Sequence, residues 1–208
     1  AYLDDDSGVN TGSAHLFERS GALWTHKAKL TAGDAAAYDL FGYSVSLHGD
    51  TALVGAYFDN DAGPDSGSAY VFVRDALGWK SQAKLTAADG AADDFFGRSV
   101  SLSGDSALIG AYGDDDAASA SGGAYVFVRD DTNWTEQAKL VAGDVAEGDF
   151  FGQSVSLSGD TALIGAFGDN DSGRNSGSAY VFVRSGTAWA QQAKLTAGDA
   201  AAYDNFGG

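Results

Sequence analysis

Apolar and polar residues alternate with a period of two along most of this chain. Glycine and aspartate break the alternation every few residues, the pattern of short β-strands and tight turns. One stretch shows it well, predicting strands at SVSL (44–47), TALVGAY (51–57), GSAYVFV (67–73) and WKSQAKLTA (79–87). Gly49-Asp50, the Asp/Gly-rich segment 58–66 and residues 75–78 supply the turns, because glycine tolerates left-handed backbone and an aspartate side chain can bond its own turn. In the third strand Ala69, Val71 and Val73 alternate with Tyr70 and Phe72. A strand apolar on both faces must be covered on both.

The pattern then repeats. The Phe-Gly pair falls at Phe41, Phe96, Phe151 and Phe206, a step of 55 residues. Trp24, Trp79, Trp134 and Trp189 keep the same step, as do Lys29, Lys84, Lys139 and Lys194, with no insertion. Four hairpin-linked strands per unit, apolar on both faces and repeated in register, predict an all-β fold: a β-propeller of four-stranded antiparallel blades. A β-solenoid is the competing arrangement, but its coils are typically shorter and lack four hairpin-linked strands. The register divides the chain into a partial blade and connector (1–43), two blades (44–98 and 99–153) and a blade with connector (154–208). Three whole blades plus an incomplete fourth are expected, forming one propeller domain or a fragment of one. The incomplete blade lacks the counterpart of residues 44–55, so the open ends should expose apolar faces. Either a longer polypeptide or self-association through those ends would cover them.

Charge narrows the class of partner. The chain carries 12 basic and 29 acidic side chains, a formal net charge of -17, and a phosphate backbone would be repelled, so no nucleic-acid partner is expected. Cysteine is absent, which removes disulfides, thiolate metal sites and a cysteine nucleophile. No leader pattern and no long apolar run appear. The chain reads as a mature or internal piece of a soluble protein, with no membrane insertion.

Phe41-Gly42, then Gly55-Ala56-Tyr57, then an aspartate-rich loop resembles the FG-GAP repeat of integrin α-subunit-like propellers. The bacterial-type form of that repeat is nearest, through SGDTALIGA and SGSAYVFVR. Tyr2, Tyr57, Tyr112 and Phe167 stand where the family usually has proline, a difference confined to a turn.

The loops after Gly-Ala read DDDSGVNTG from Asp4, DNDAGPDSG from Asp59, DDDAASASG from Asp114 and DNDSGRNSG from Asp169. Carboxylates one residue apart on a tight loop turn their oxygens into a common hollow, as calcium requires. The resemblance implies calcium sites, carried by the pairs Asp4 and Asp6, Asp59 and Asp61, Asp114 and Asp116, and Asp169 and Asp171. Asn10, Asp65 or Asn175 would add a third ligand. Ala120 stands there in the third loop, with Ala118 in place of a glycine, so that site should be weakest. The fifth loop position, an oxygen donor in integrins, is here Gly8, Gly63, Ala118 or Gly173. The alternative is that these aspartates only bond backbone N–H groups of their turns. A second set, Asp34 and Asp39, Asp89 and Asp94, Asp144 and Asp149, Asp199 and Asp204, is expected to fix the turns between blades.

No catalytic residues are expected. Carboxylate pairs repeat with the fold, whereas a catalytic constellation is normally unique. His15, His26 and His48 have no counterparts in the whole repeats, and neither a G-x-S-x-G elbow nor a Gly-rich phosphate loop is present. The tryptophans could stack on sugars, but interblade packing suits their positions better. The leading function is therefore a non-catalytic, calcium-binding module, extracellular or at the cell surface, for adhesion or protein interaction. A multivalent lectin-like propeller binding glycans, and a surface or filament protein built from incomplete propellers, are the alternatives.

Overall fold

The computed structural model describes residues 1–208 and is all-β. The strands are β1 (Ala14–Ser20), β2 (Leu23–Leu30), β3 (Ser44–His48), β4 (Thr51–Ala56), β5 (Ser68–Asp75), β6 (Gly78–Leu85), β7 (Ser99–Ser103), β8 (Ser106–Ala111), β9 (Gly123–Asp130), β10 (Asn133–Leu140), β11 (Phe151–Ser158), β12 (Thr161–Ala166), β13 (Ser178–Ser185) and β14 (Ala188–Leu195). They form one two-stranded sheet, β1-β2, and three four-stranded sheets, β3 to β6, β7 to β10 and β11 to β14. Within each sheet neighbours in sequence are antiparallel neighbours in space. These sheets are propeller blades.

The two-faced strand explains how the blades hold together. Tyr70 and Phe72 enter one buried cluster with Phe41, Ala52 and Val54, whereas Val71, Ala69 and Leu53 enter the next with Phe96, Ile109, Tyr125 and Phe127. One blade further on, Val126 and Leu108 join Phe151, Ile164, Tyr180 and Phe182. The hydrophobic cores thus lie between sheets, and each blade is stable only against its neighbours. First strands pack on first strands, β7 lying against both β3 and β11.

The Phe-Gly pair is the joint between blades. Phe41, Phe96 and Phe151 are fully buried, and Phe96 meets Tyr125 and Phe127 edge-on with centroids 5.4 and 6.0 Å away, a favoured aromatic geometry. The backbone of Phe96 forms a parallel bridge to Gly67, and Phe151 repeats it with Gly122. The serines of the first strands complete the seam: Ser44 Oγ donates to the Gly97 carbonyl at 2.7 Å, and Ser99 Oγ to that of Gly152 at 2.8 Å.

Tryptophan has the packing role. Trp134 Nε1 donates to Gln82 Oε1 of the preceding blade at 2.9 Å, and Trp189 Nε1 to Gln137 Oε1 at 3.0 Å. Trp24 has no such partner and is 62% exposed.

The end faces are open. Val45 and Leu47 of β3 are 62% and 59% exposed, while Leu102, the counterpart of Leu47, is 6% exposed.

Candidate functional site

Each aspartate loop is tied down by its own first carboxylate. Asp59 is buried; its carbonyl accepts from Gly67 N at 2.8 Å, and its Oδ1 accepts from Asp61 N at 3.1 Å. Its Oδ2 is left facing inward. There it meets the Tyr70 hydroxyl at 2.7 Å and the Lys84 ammonium at 2.9 Å.

Three carboxylates converge on that ammonium. Lys84 Nζ lies 2.7 Å from Asp34, 2.9 Å from Asp59 and 2.5 Å from Asp61. Lys139 holds Asp89, Asp114 and Asp116 at 2.9, 2.6 and 2.7 Å. Lys194 holds Asp144, Asp169 and Asp171 at 2.6, 2.6 and 2.5 Å. In the first loop Lys29 holds Asp4 at 2.9 Å and also Asp6. A tyrosine ring lies beside the nitrogens of Lys84, Lys139 and Lys194, which are 5.1, 5.2 and 5.3 Å from the centroids of Tyr70, Tyr125 and Tyr180.

The electrostatics follow from this crowding. Burial alone would lower the pKa of Lys84, Lys139 and Lys194, but bonds to the carboxylates outweigh it and hold them well above the usual lysine range. Burial raises Tyr70, Tyr125 and Tyr180, and donation to aspartate raises them further, so the phenols keep their protons. Burial also pushes Asp34, Asp89, Asp144 and Asp169 upward, yet lysine and tyrosine donors more than offset it and leave them below 3.8.

The structure thus brings the loop pairs together as the sequence suggested, but with a different third member. Asp34, Asp89 and Asp144, from the connector of the preceding repeat, complete the three groups whose oxygens lie within 4.8 Å of one another. Asp65 is outside its group, and the same loop position serves the backbone: Asn10, Asp65, Ala120 and Asn175 have φ of 53°, 55°, 47° and 52°. Asparagine and aspartate enter this left-handed region more readily than most residues, which is why they recur there. The side chains of Asn60 and Asn170 cap this turn, accepting from Asp65 N and Asn175 N, both at 2.8 Å. A lysine recurring every 55 residues was the sequence signal for the missing partner.

Three carboxylates around one point could hold a metal ion. Calcium takes about 6–8 oxygens at roughly 2.3–2.6 Å. Here the lysine nitrogen takes the point itself, so with the ammonium in place the group does not fit calcium.

The second acidic set divides its labour. Asp34, Asp89 and Asp144 join the lysines, while Asp39, Asp94 and Asp149 are buried and accept from Ala36, Ala91 and Ala146 N at 2.6, 2.6 and 2.7 Å. Burial pushes Asp94 up to about 6 despite that bond, with the Asp114 and Asp115 carboxylates adding to the rise. A raised carboxylate stabilises the fold below its unfolded value and loses that contribution as pH rises through the folded one. Asp94→Asn is therefore expected to remove a decline in stability between pH 3.8 and about 6. Urea midpoints of both proteins across that window check it; parallel curves would contradict it.

One region departs from the repetition. The residue after Phe-Gly is Tyr43, Arg98, Gln153 or Gly208, four different chemistries at one repeat position. The Arg98 guanidinium lies 4.3 Å from the Tyr43 centroid, 5.5 Å from Tyr57 and 5.8 Å from Tyr112. Arg74, Arg129 and Arg184 are paired with Asp50, Asp105 and Asp160, whereas Arg98 pairs with no carboxylate. The aromatic surface continues through Phe95 stacked on Tyr112 at 5.0 Å and Phe150 stacked on Phe167 at 5.0 Å. Gln153 Oε1 is buried without a partner.

The histidines do not assemble a reactive site. His15 replaces the cluster tyrosine of the other repeats and lies 3.1 Å from His26. Ser13, at 3.1 Å from His15, is fully buried and donates its hydroxyl to Asp4 at 2.8 Å. It is no accessible nucleophile.

A family model described as FG-GAP repeat matches residues 24–72, 79–127, 134–182 and 189–208. No curated protein matches the chain. Among solved structures, the crystal structure of Saccharomyces cerevisiae Sqt1 is similar at 12% identity and a TM-score of 0.47, over 76% of this chain and 36% of that one.

Proposed function

This chain belongs to the FG-GAP repeat family, and from that premise we propose that it is a non-catalytic module, extracellular or at the cell surface, acting in adhesion or another protein contact. FG-GAP propellers are generally non-catalytic and of a protein-interaction type. No helix is long and apolar enough to cross a membrane.

The observation that carries the reading is the Arg98 surface. Repetition maintains the fold, so a position whose chemistry changes from repeat to repeat is free to serve recognition. A guanidinium left unpaired in a chain of net charge -17, framed by tyrosines, suits an acidic group on a protein partner, because Arg and Tyr are the residues that anchor interfaces. The tryptophans needed for a lectin are instead engaged with glutamines in two of the whole blades. Calcium forms no part of this reading.

The test is binding of the labelled chain to panels of extracellular proteins and of glycans, with Arg98→Ala alongside. Binding to an acidic protein, weakened at least about tenfold in the variant, or about 1.4 kcal/mol, is expected. Protein binding unaffected by the substitution, or binding to glycans alone, would overturn it.

A further inference from the structure

We infer that in this chain the ammonium of a strand lysine takes the cation position of the aspartate loops, so that the loops close without calcium and admit a metal ion only where that ammonium is removed.

Each ammonium makes two carboxylate hydrogen bonds and a third close ion pair. A lysine ammonium has three N–H donors and no acceptor, and each of Lys84, Lys139 and Lys194 faces three carboxylates. The nine distances run from 2.5 to 2.9 Å, which is close to the usual range for charge-assisted N–H···O bonds. Two of the remaining oxygens meet donors as well. Asp59 Oδ1 accepts from Asp61 N, and Asp34 Oδ1 lies 2.9 Å from the Tyr70 hydroxyl. A calcium ion at this point would have to displace the ammonium and gather about 6–8 oxygens in its place.

The loop at Asp114 gives an independent comparison. It has Ala118 and Ala120 in place of the glycine and the oxygen-bearing residue of the other loops, the changes that would weaken a calcium site. Its lysine cluster nevertheless has the same members at the same range of distances. What the three loops share is the lysine, not the third loop oxygen.

An ammonium fixed to a strand differs from a bound ion in one practical respect: chelators and low calcium cannot remove it. Each lysine also joins a loop of its own blade to the connector of the preceding repeat, Lys84 and Asp34 being 50 residues apart in sequence. The cluster thus locks the blade-to-blade junction as part of the chain. This inference stands apart from the Arg98 reading, since loss of one leaves the other intact.

The experiment compares the whole chain with a variant carrying Lys84→Met, Lys139→Met and Lys194→Met. Bound calcium is measured by equilibrium dialysis, and Tm in calcium and in chelator. The wild type is expected to retain no stoichiometric calcium and to melt at the same temperature in both. The variant should melt lower in chelator, bind calcium, and rise by roughly 5–10 °C per occupied site when calcium is about a hundred times its Kd. Stoichiometric calcium on the wild type with a matching rise in Tm would overturn the inference, as would a folded variant that binds none. Should the triple variant not fold, Lys139→Met alone is read in the same way, with one ion per chain as the expected gain.

Discussion

Gly122→Ala is expected to destabilise the chain by about 3 kcal/mol or more, with loss of the folded baseline near physiological temperature. Gly122 has φ of 84°, and a Cβ added there would stand 2.0 Å from the carbonyl oxygen of Phe151 and 2.5 Å from its nitrogen. Both obstacles are backbone, held in the bridge that joins this loop to the Phe-Gly pair. Side-chain rotation cannot relieve them. Gly104→Ala is the comparison, because Gly104 also has positive φ, 59°, but open space around its would-be Cβ. It should cost only the left-handed strain, about 1 kcal/mol. Denaturant midpoints of the two variants separate strain from collision; equal losses would show that the bridge yields.

Phe96→Ala carries the second large effect. The ring is fully buried between two blades, against Tyr125 and Phe127, and its removal leaves a cavity that neighbouring strands, pinned by the Gly67 bridge and the Ser44 seam, cannot fill. A loss of about 3–5 kcal/mol is expected. Because the core lies between sheets, the loss should uncouple blades: hydrogen exchange should quicken in β4, β5, β8 and β9 together, while β13 is less affected. Uniform exchange across all blades would instead mean that the array unfolds as one unit. Leu77, 98% exposed on a turn, supplies a neutral control.

The two-residue alternation of β5 and the 55-residue step were enough to infer stacked antiparallel blades, because a strand apolar on both faces has few ways to be buried. The strand limits read from sequence differ from the observed ones by one or two residues, as at Tyr57, where β4 stops at Ala56. The aspartate loops were legible too, as sites of converging carboxylates. Their third member was not. Asp34 precedes Asp59 by nearly half a repeat and belongs to another blade's connector, so only the docking of blades brings it to Lys84. Asp65 was misleading for a related reason: its type suits a ligand, but its left-handed φ of 55° shows that the turn accounts for it.

The sequence by itself determined the local architecture, since strand alternation, turn residues and exact repetition are properties of neighbours along the chain. It also showed that each loop would be acidic. The tertiary structure decided which cation those acids meet. A carboxylate is satisfied by any positive charge that geometry delivers, and here the pairing of β5 with β6 places a lysine opposite the cluster tyrosine, Tyr70 facing Lys84 across the ladder. Distance in space, which sequence order does not encode, put the ammonium where an ion was expected.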